Sequence, residues 1–227
     1  MSDNVTIWKN FYKDATSQHN SYPSETLIRL LKGSWYLPDL DKDFKGKKAL
    51  EIGFGSGNNL AFLASLGFDI AGVEIGQSIC DAAKVKFGEV GVDLDARAGH
   101  NRDIPFEDNT FDMLVSWATV HYELNMDDYM AALREFRRVL KPGGWLLLET
   151  VAPGHSIFRG ARLEGPFVYR LTREDDIRCG NTFLCLENEQ YVDHYYSQVF
   201  DDVVVGRIDL DIFRERITTF IVAGRKF

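Results

Sequence analysis

The sequence predicts an α/β fold in which a mostly parallel sheet is covered by helices on both faces. Three observations lead to this prediction. Short apolar runs alternate with amphipathic stretches through the middle of the chain, as in parallel strands joined by crossover helices. A glycine-rich turn follows the first apolar run. Two further apolar runs near the end are separated by a short connection, which is typical of antiparallel neighbours.

Five strands are predicted before the alternation breaks, and three helices lie between them. The predicted strands are 48–52, 69–74, 92–96, 111–117 and 145–150. The predicted helices are 58–66, 78–87 and 127–140. The third helix is predicted to end at the sequence Lys-Pro-Gly-Gly at 141–144, because proline cannot continue a helix and glycine allows a tight return.

The alternation stops after the fifth strand. Residues 152–186 are rich in glycine, arginine and aromatic side chains and show no clear period. A long irregular stretch inside a compact domain is usually a lid or another functional insertion, so we expect an acceptor lid here. A helix at 188–200 and strands at 203–210 and 217–225 complete the sheet. We expect residues 1–45 to form a helical cap and residues 1–227 to form one domain.

Composition and charge narrow the range of partners. The chain has 227 residues and a formal net charge of -8, which argues against a broad surface for nucleic acid. Its three cysteines are odd in number and lack CxxC spacing, so we expect reduced thiols, a cytoplasmic location and no metal site. No apolar run approaches the ~20 residues of a membrane helix, and the first 20 residues lack the layout of a signal peptide.

The strongest local signal is the turn between the first strand and the first helix. Its sequence is Glu51-Ile52-Gly53-Phe54-Gly55-Ser56-Gly57-Asn58-Asn59. Open α/β sheets bind ligands at the carboxyl ends of their strands, and glycines allow a ligand to approach the backbone closely. Glu74 ends the second strand, 23 residues after Glu51. At this place it can accept hydrogen bonds from a ribose diol.

A dinucleotide is the first alternative ligand to consider. Its GxGxxG or GxGxxA fingerprint would need glycine or alanine where this chain has Asn58, counting from Gly53, or Leu60, counting from Gly55. Glu51 would repel a pyrophosphate but attract an ammonium group. S-adenosylmethionine (SAM) carries both a ribose diol and an ammonium group. The residues therefore fit SAM better than NAD.

Over residues 46–150 the chain resembles the class I SAM-dependent methyltransferases, in particular those with methyltransferase domains of types 11 and 25. The resemblance is carried by the Glu51-x-Gly53-x-Gly55-x-Gly57 motif, by residues 103–112 and by residues 140–144. It implies a Rossmann-like sheet of seven strands in the order 3-2-1-4-5-7-6, with the last strand antiparallel. It also implies that the glycine loop lies under the methionine part of SAM, that Glu74 holds the ribose and that Ile75 touches the adenine.

One position departs from the pattern of this family. Many relatives carry an aspartate followed by a small residue before the fourth strand, and the aspartate binds the adenine amino group. Here the two positions are His100 and Asn101; Asn101 can still contact the adenine, whereas His100 cannot simply take the role of the aspartate. The full set of predicted cofactor-binding residues is Glu51, Gly53, Phe54, Gly55, Gly57, Asn58, Glu74, Ile75, Asn101, Arg102 and Trp117.

Methyl transfer from a sulfonium requires alignment of the acceptor with the methyl group, and a hydroxyl acceptor benefits from a general base. His121 follows the fourth strand and is the first candidate for this base; the alternative is a histidine that caps the next loop. His155, in the irregular segment, is the second candidate. The arginines of that segment fit either a solvated mixed surface or an acceptor with a phosphate or carboxylate. Further candidate contacts are Tyr122 for the acceptor and Tyr12, His19 and Tyr22 for the methionine carboxylate.

These observations predict a methyltransferase that uses SAM to methylate a small molecule, with oxygen as the accepting atom. The acceptor would be a metabolite, a sugar or a natural-product intermediate, and the protein a monomer or homodimer. Two alternatives stay open. An RNA or protein methyltransferase would usually bring a basic face or a recognition domain, and a protein that binds SAM without methyl transfer would keep the same cofactor motif.

Overall fold

The computed structural model describes residues 22–227 and contains ten strands and five α-helices in that range. The strands are β1 (Lys48–Ile52), β2 (Asp69–Glu74), β3 (Leu94–Ala98), β4 (Phe111–Trp117), β5 (Leu140–Val151), β6 (Arg162–Gly165), β7 (Val168–Arg170), β8 (Thr182–Leu184), β9 (Asp201–Ile212) and β10 (Glu215–Arg225). The helices are α1 (Glu25–Lys32), α2 (Asn58–Ser65), α3 (Gln77–Glu89), α4 (Met126–Val139) and α5 (Glu189–Tyr196).

Seven of these strands form one sheet in the order β3-β2-β1-β4-β5-β10-β9. Strand β10 is antiparallel to both of its neighbours, whereas β1 to β5 pair in parallel. Strands β6, β7 and β8 form a separate antiparallel sheet. When these three are set aside, the main sheet has the predicted order 3-2-1-4-5-7-6. The α/β fold class is therefore confirmed, and only the strand numbers change.

The two faces of the main sheet are buried by different helices. On one face, side chains of β1, β4 and β5 pack against α4 and α5 in a first core cluster that contains Leu50, Leu114, Phe136, Leu148 and Tyr196. On the other face, the same strands pack against α1, α2 and α3 in a second core cluster that contains Leu27, Ala49, Leu60, Phe87 and Leu147. Strands buried on both faces consist mostly of apolar residues, which explains why β1 and β4 have the predicted bounds.

Helix α1 covers the second core cluster with one side. Its buried residues Leu27, Leu30 and Leu31 have helical spacing, and Ser24 caps its first turn by accepting a hydrogen bond from the Leu27 N–H group. Helix α1 lies within residues 1–45, for which a helical cap stays a prediction. Tyr12 and His19 lie outside the described residues, and Tyr22 is exposed.

Several elements differ from their predicted bounds. Strand β5 begins at Leu140, five residues earlier than predicted, and so includes the predicted turn at 141–144. Helix α3 continues two residues beyond Phe87 and ends at Glu89. The turn that follows contains Gly91 with a φ of 74°. Strand β3 therefore begins at Leu94, two residues later than predicted. At the end of the chain, β9 and β10 pair as far as Ile212 and Glu215, so their connection has two residues where five were predicted.

Residues 152–186, which we call the lid segment, contain more regular structure than predicted. They hold β6, β7 and β8 and a short 3-10 helix at Ser156–Phe158. These strands have only three or four residues each, too few for a strand period to stand out. No helix in residues 22–227 is long and apolar enough to cross a membrane. Each of the three cysteines is unpaired.

A buried hydroxyl pair joins α4 to α5 and gives a first testable prediction. The hydroxyls of Tyr129 and Tyr196 lie 2.7 Å apart, and both side chains are fully buried. The Tyr129→Phe variant leaves the Tyr196 hydroxyl without this partner, so we expect the free energy of unfolding in urea to fall by about 1–3 kcal/mol. The double variant with Tyr196→Phe should cost less than the sum of the two single changes. Additive costs would show that the hydroxyls do not act as a pair.

Candidate functional site

The turn after β1 has a backbone that only glycine accommodates well. Gly53, Gly55 and Gly57 have φ angles of 66°, 55° and 79°. A Cβ atom on Gly53 would lie 2.2 Å from the Cγ2 methyl group of Thr119, and one on Gly57 would lie 2.8 Å from the ring of Phe87. Both the backbone conformation and the surrounding space therefore exclude side chains. The bare backbone of this loop is a surface on which a ligand can lie.

Glu74 lies at the end of β2, beside this loop. Its carboxylate accepts hydrogen bonds from the N–H groups of Gly55, at 2.8 Å, and Ile75, at 2.9 Å. These two bonds fix the orientation of the carboxylate. Each oxygen receives one bond, and a carboxylate can accept about four, so capacity remains for a diol. Burial raises the pKa of Glu74.

Glu51 lies on β1 and is also buried. One of its oxygens accepts a hydrogen bond of 2.8 Å from the Asn59 amide, whereas the other oxygen, Oε2, is buried without a partner among the described residues. Burial raises the pKa of Glu51 to about 8. A buried carboxylate oxygen without a donor is costly, and an ammonium group placed there would remove that cost. The site therefore fits the amino-acid end of SAM.

Asn59 connects Glu51 to the N-terminal helix. Its amide oxygen accepts a hydrogen bond of 2.9 Å from the N–H group of Ser24, the residue that caps α1, while its amide nitrogen donates to Glu51. The sequence motif includes Asn59 without assigning it a role. Its position in the first turn of α2 is the sequence feature from which a contact of this side chain with the loop could have been predicted.

Asn101 and Arg102 lie on a turn that faces the start of α4. The Asn101 amide donates to the Glu123 carboxylate at 2.9 Å. Arg102 forms ion pairs with Glu123, at 2.9 Å, and with Asp128, at 2.8 Å. The guanidinium of Arg102 is therefore committed to these carboxylates, and its backbone N–H group also has a partner. His100 is exposed, and its Nδ1 accepts a hydrogen bond from the Arg102 N–H group.

The other predicted cofactor residues differ in what they offer to a ligand. The Phe54 side chain is buried in the second core cluster and fills the space above Gly72. Only the backbone of Phe54 is therefore left for contact with a ligand on the glycine loop. Asn58 donates to the Ser56 hydroxyl within the loop. Ile75 and Trp117 are half-buried at the ends of β2 and β4. Both of these side chains have surface left for contact.

His121 lies in a short 3-10 helix, Val120–Tyr122, that follows β4. Its ring is buried, with ring centroids 4.4 Å from Phe183 and 4.8 Å from Tyr122, and its Nδ1 has no partner among the described residues. Burial, together with the nearby Arg178 guanidinium, lowers the pKa of His121 to about 3. The imidazole is therefore neutral at physiological pH and a weak base.

His155 lies in the lid segment and caps the 3-10 helix at Ser156–Phe158. Its Nδ1 accepts a hydrogen bond of 3.1 Å from the Ile157 N–H group. Burial and the Arg178 guanidinium lower the pKa of His155 as well. Arg178 itself forms an ion pair with Asp176 at 2.6 Å. The fold thus brings both candidate bases near the same guanidinium, and their catalytic role stays a prediction.

A cavity of about 540 Å³ lies between the start of α4 and the sheet of the lid segment. Its lining includes Leu124, Met126, Pro166 and Val168. None of the predicted site residues lines this cavity. The cavity is therefore separate from the two carboxylates and the glycine loop.

Comparison with known proteins finds methyltransferases similar to this chain. Residues 50–148 match the family model described as a methyltransferase domain. Over 120 residues the chain is 33% identical to a demethylmenaquinone methyltransferase of Staphylococcus aureus, an alignment that covers 51% of this chain and 48% of the relative. The chain thus spans about half the length of the curated relatives that it matches.

Two solved structures share the fold over most of the chain. A SAM-dependent methyltransferase from Methanosarcina mazei has a TM-score of 0.69 at 18% identity, covering 90% of this chain and 99% of that one. The 1,6-didemethyltoxoflavin-N1-methyltransferase of Burkholderia thailandensis, solved with 1,6-didemethyltoxoflavin and S-adenosylhomocysteine, has a TM-score of 0.65 at 14% identity, covering 99% and 85%. Residues 50–148 are therefore similar to a methyltransferase domain, and the chain shares the fold of these solved methyltransferases.

Proposed function

We propose that this protein transfers the methyl group of SAM to an oxygen atom of a small-molecule acceptor. The observation that carries the proposal is the unpartnered, buried oxygen of Glu51 beside a glycine loop and a second buried carboxylate, Glu74. Parallel pairing of β1 with β2 puts their carboxyl ends at the same edge of the sheet. One carboxylate suits the ammonium group of SAM and the other suits its ribose diol.

Charge and architecture support a small acceptor. The net charge of -8 disfavours a polyanionic substrate. The lid segment packs over the end of β5 and over Tyr122, in the 3-10 helix after β4, through a lid cluster whose buried members are Val151, Ile157, Leu171, Phe183 and Cys185. A cover of this kind limits the size of the acceptor and excludes water from the reacting atoms.

The accepting oxygen attacks the methyl carbon as the sulfur–carbon bond breaks, and the proton of the hydroxyl passes to a base. The imidazoles of His121 and His155 are both neutral, and the proposal keeps both as candidates for that base. His121 is the first candidate because its Nδ1 has no partner among the described residues, whereas Nδ1 of His155 would first have to give up its hydrogen bond from the Ile157 N–H group. The same proposal includes one domain over residues 1–227, a monomeric or dimeric state and a cytoplasmic location.

Calorimetric titration with SAM tests the cofactor assignment. We expect micromolar binding by the wild type and at least ~10-fold weaker binding by Glu74→Ala, because one or two charge-assisted hydrogen bonds are lost. Glu89→Ala is the matched control, since Glu89 is exposed at the end of α3. Absence of SAM binding, above all with measurable NAD binding, would overturn the proposal.

Product analysis then separates methyl transfer from binding alone. Conversion of SAM to S-adenosylhomocysteine that depends on an added small molecule supports the proposal. A protein that binds SAM and never turns it over would instead be a binding protein. Salt-sensitive binding of RNA at physiological ionic strength would favour the alternative of an RNA methyltransferase.

A further inference from the structure

A third acidic side chain lies at the carboxyl end of the main sheet, outside the predicted cofactor residues. Glu149 is on β5, in register with Trp117 of β4 and Ile221 of β10. Its carbonyl oxygen accepts a hydrogen bond of 3.0 Å from the N–H group of Ala118, the first residue after β4, which has a φ of 57°. Glu149 therefore lies beside the loop that leads to His121.

The strand register places Glu149 on the same face of the sheet as Glu51. Glu51 pairs with Val115 and Val115 pairs with Leu147, so Glu51 and Leu147 share a face and Glu149 lies two residues further along. Strands are spaced by about 4.8 Å, which puts β5 about 10 Å from β1 across the sheet. This separation leaves room for the methyl group and an acceptor between the ammonium site and Glu149.

Glu149 is a polar position between two apolar clusters. Along this face of β5, Leu147 belongs to the second core cluster and Val151 belongs to the lid cluster. The carboxyl group therefore lies above the core and below the lid segment. Trp117 of β4 and Ile221 of β10 flank it on the neighbouring strands, and Thr219 lies two residues from Ile221 along β10.

The carboxyl group of Glu149 has little compensation from the protein. The Thr219 hydroxyl lies beside it, but that hydroxyl has no hydrogen bond of acceptable geometry among the described residues. Within residues 22–227, no lysine, arginine or histidine forms an ion pair with Glu149. Burial raises the pKa of Glu149. A half-buried carboxyl group in this situation is stabilised by a ligand that brings a hydrogen-bond donor.

We propose that Glu149 binds the acceptor by accepting a hydrogen bond from a phenol-type hydroxyl. A phenolic O–H is a stronger donor to a carboxylate than an alkyl hydroxyl, and the apolar neighbours Trp117 and Ile221 suit the ring that carries it. This inference rests on the proposed function and adds a substrate class and a specificity residue to it.

The test compares phenol with anisole, which has the same ring and no donor, on protein saturated with S-adenosylhomocysteine. Binding of each probe is followed by ligand-detected NMR. We expect the wild type to bind phenol about tenfold more tightly than anisole. In Glu149→Gln, which conserves volume, the preference should fall to about twofold. The control Glu187→Gln changes an exposed glutamate near the lid segment and should keep the full preference.

The outcomes separate this inference from the proposed function. If the wild type does not bind S-adenosylhomocysteine, the result would count against the proposed function itself. Intact cofactor binding with no detectable phenol binding, or with equal affinity for phenol and anisole, would overturn the role of Glu149. A preference for phenol that survives in Glu149→Gln would also overturn it. The wild-type comparison is decisive even if the variant does not fold.

Discussion

Replacing Gly53 by alanine is expected to abolish tight SAM binding and to lower the free energy of unfolding by about 2–5 kcal/mol. Gly53 has a φ of 66°, and holding a residue with a Cβ in this region costs about 1–2 kcal/mol. The new Cβ atom would also lie 2.2 Å from the Cγ2 methyl group of Thr119, and such overpacking costs about 1–3 kcal/mol. Urea unfolding and calorimetric titration with SAM measure the two effects.

Two further variants separate the backbone cost from the clash. Gly91 has a similar φ of 74°, but no described atom lies within 4 Å of the position of its Cβ. Gly91→Ala should therefore show the backbone cost alone. Thr119→Ser removes the methyl group and keeps the hydroxyl that lies 2.7 Å from Ser116 Oγ, so Gly53→Ala should cost less in that background. Equal costs for Gly53→Ala and Gly91→Ala would rule out the close packing as a cause.

The sequence allowed the main sheet to be predicted closely and the lid segment only as an insertion. Strands β1, β2 and β4 have the predicted bounds because burial on both faces selects mostly apolar residues along a strand. The sheet in the lid segment was missed because its strands are short and partly exposed. Their stability comes from tertiary contacts, such as that of Phe183 with His121, which leave no periodic pattern in the sequence.

The candidate site likewise contains residues whose positions the sequence predicts and contacts that it does not predict. The positions of Glu51 and Glu74 could be predicted because Glu51 is the last residue but one of β1, just before a recognisable turn, and Glu74 is the last residue of β2. The ion pairs of Arg102 depend on Glu123 and Asp128, which no local pattern links to it. Glu149 is equally hidden, since one glutamate near the end of an apolar strand reads as a solvent-facing residue. Its significance appears only when the register shows which face it shares with Glu51.

At pH 7, SAM binding is expected to release most of one proton from Glu51. The pKa of Glu51 in the free protein is about 8, so about 90% of the carboxyl groups are protonated at this pH. An ammonium group beside the unpartnered Oε2 favours the ionised form and lowers the pKa. Calorimetry in phosphate and in Tris, which differ in ionisation enthalpy, measures the released protons. The Glu51→Gln variant should release far fewer.

The same ionisation makes the stability of the free protein depend on pH. The pKa of Glu51 is higher in the folded protein than its ordinary value of 4.5, so the folded state holds the proton more tightly than the unfolded state. The stabilisation from protonated Glu51 is therefore complete below about pH 4.5 and is lost between about pH 4.5 and 8, at up to about 1.4 kcal/mol per pH unit. Glu51→Gln should flatten this part of the urea-unfolding profile, whereas Glu107→Gln, at an exposed loop residue, should not.

The calorimetric experiment can contradict the ionisation on which both predictions depend. If the enthalpy of SAM binding to the wild type at pH 7 is the same in phosphate and in Tris, Glu51 is already ionised in the free protein, and its unpartnered oxygen cannot be the source of proton release.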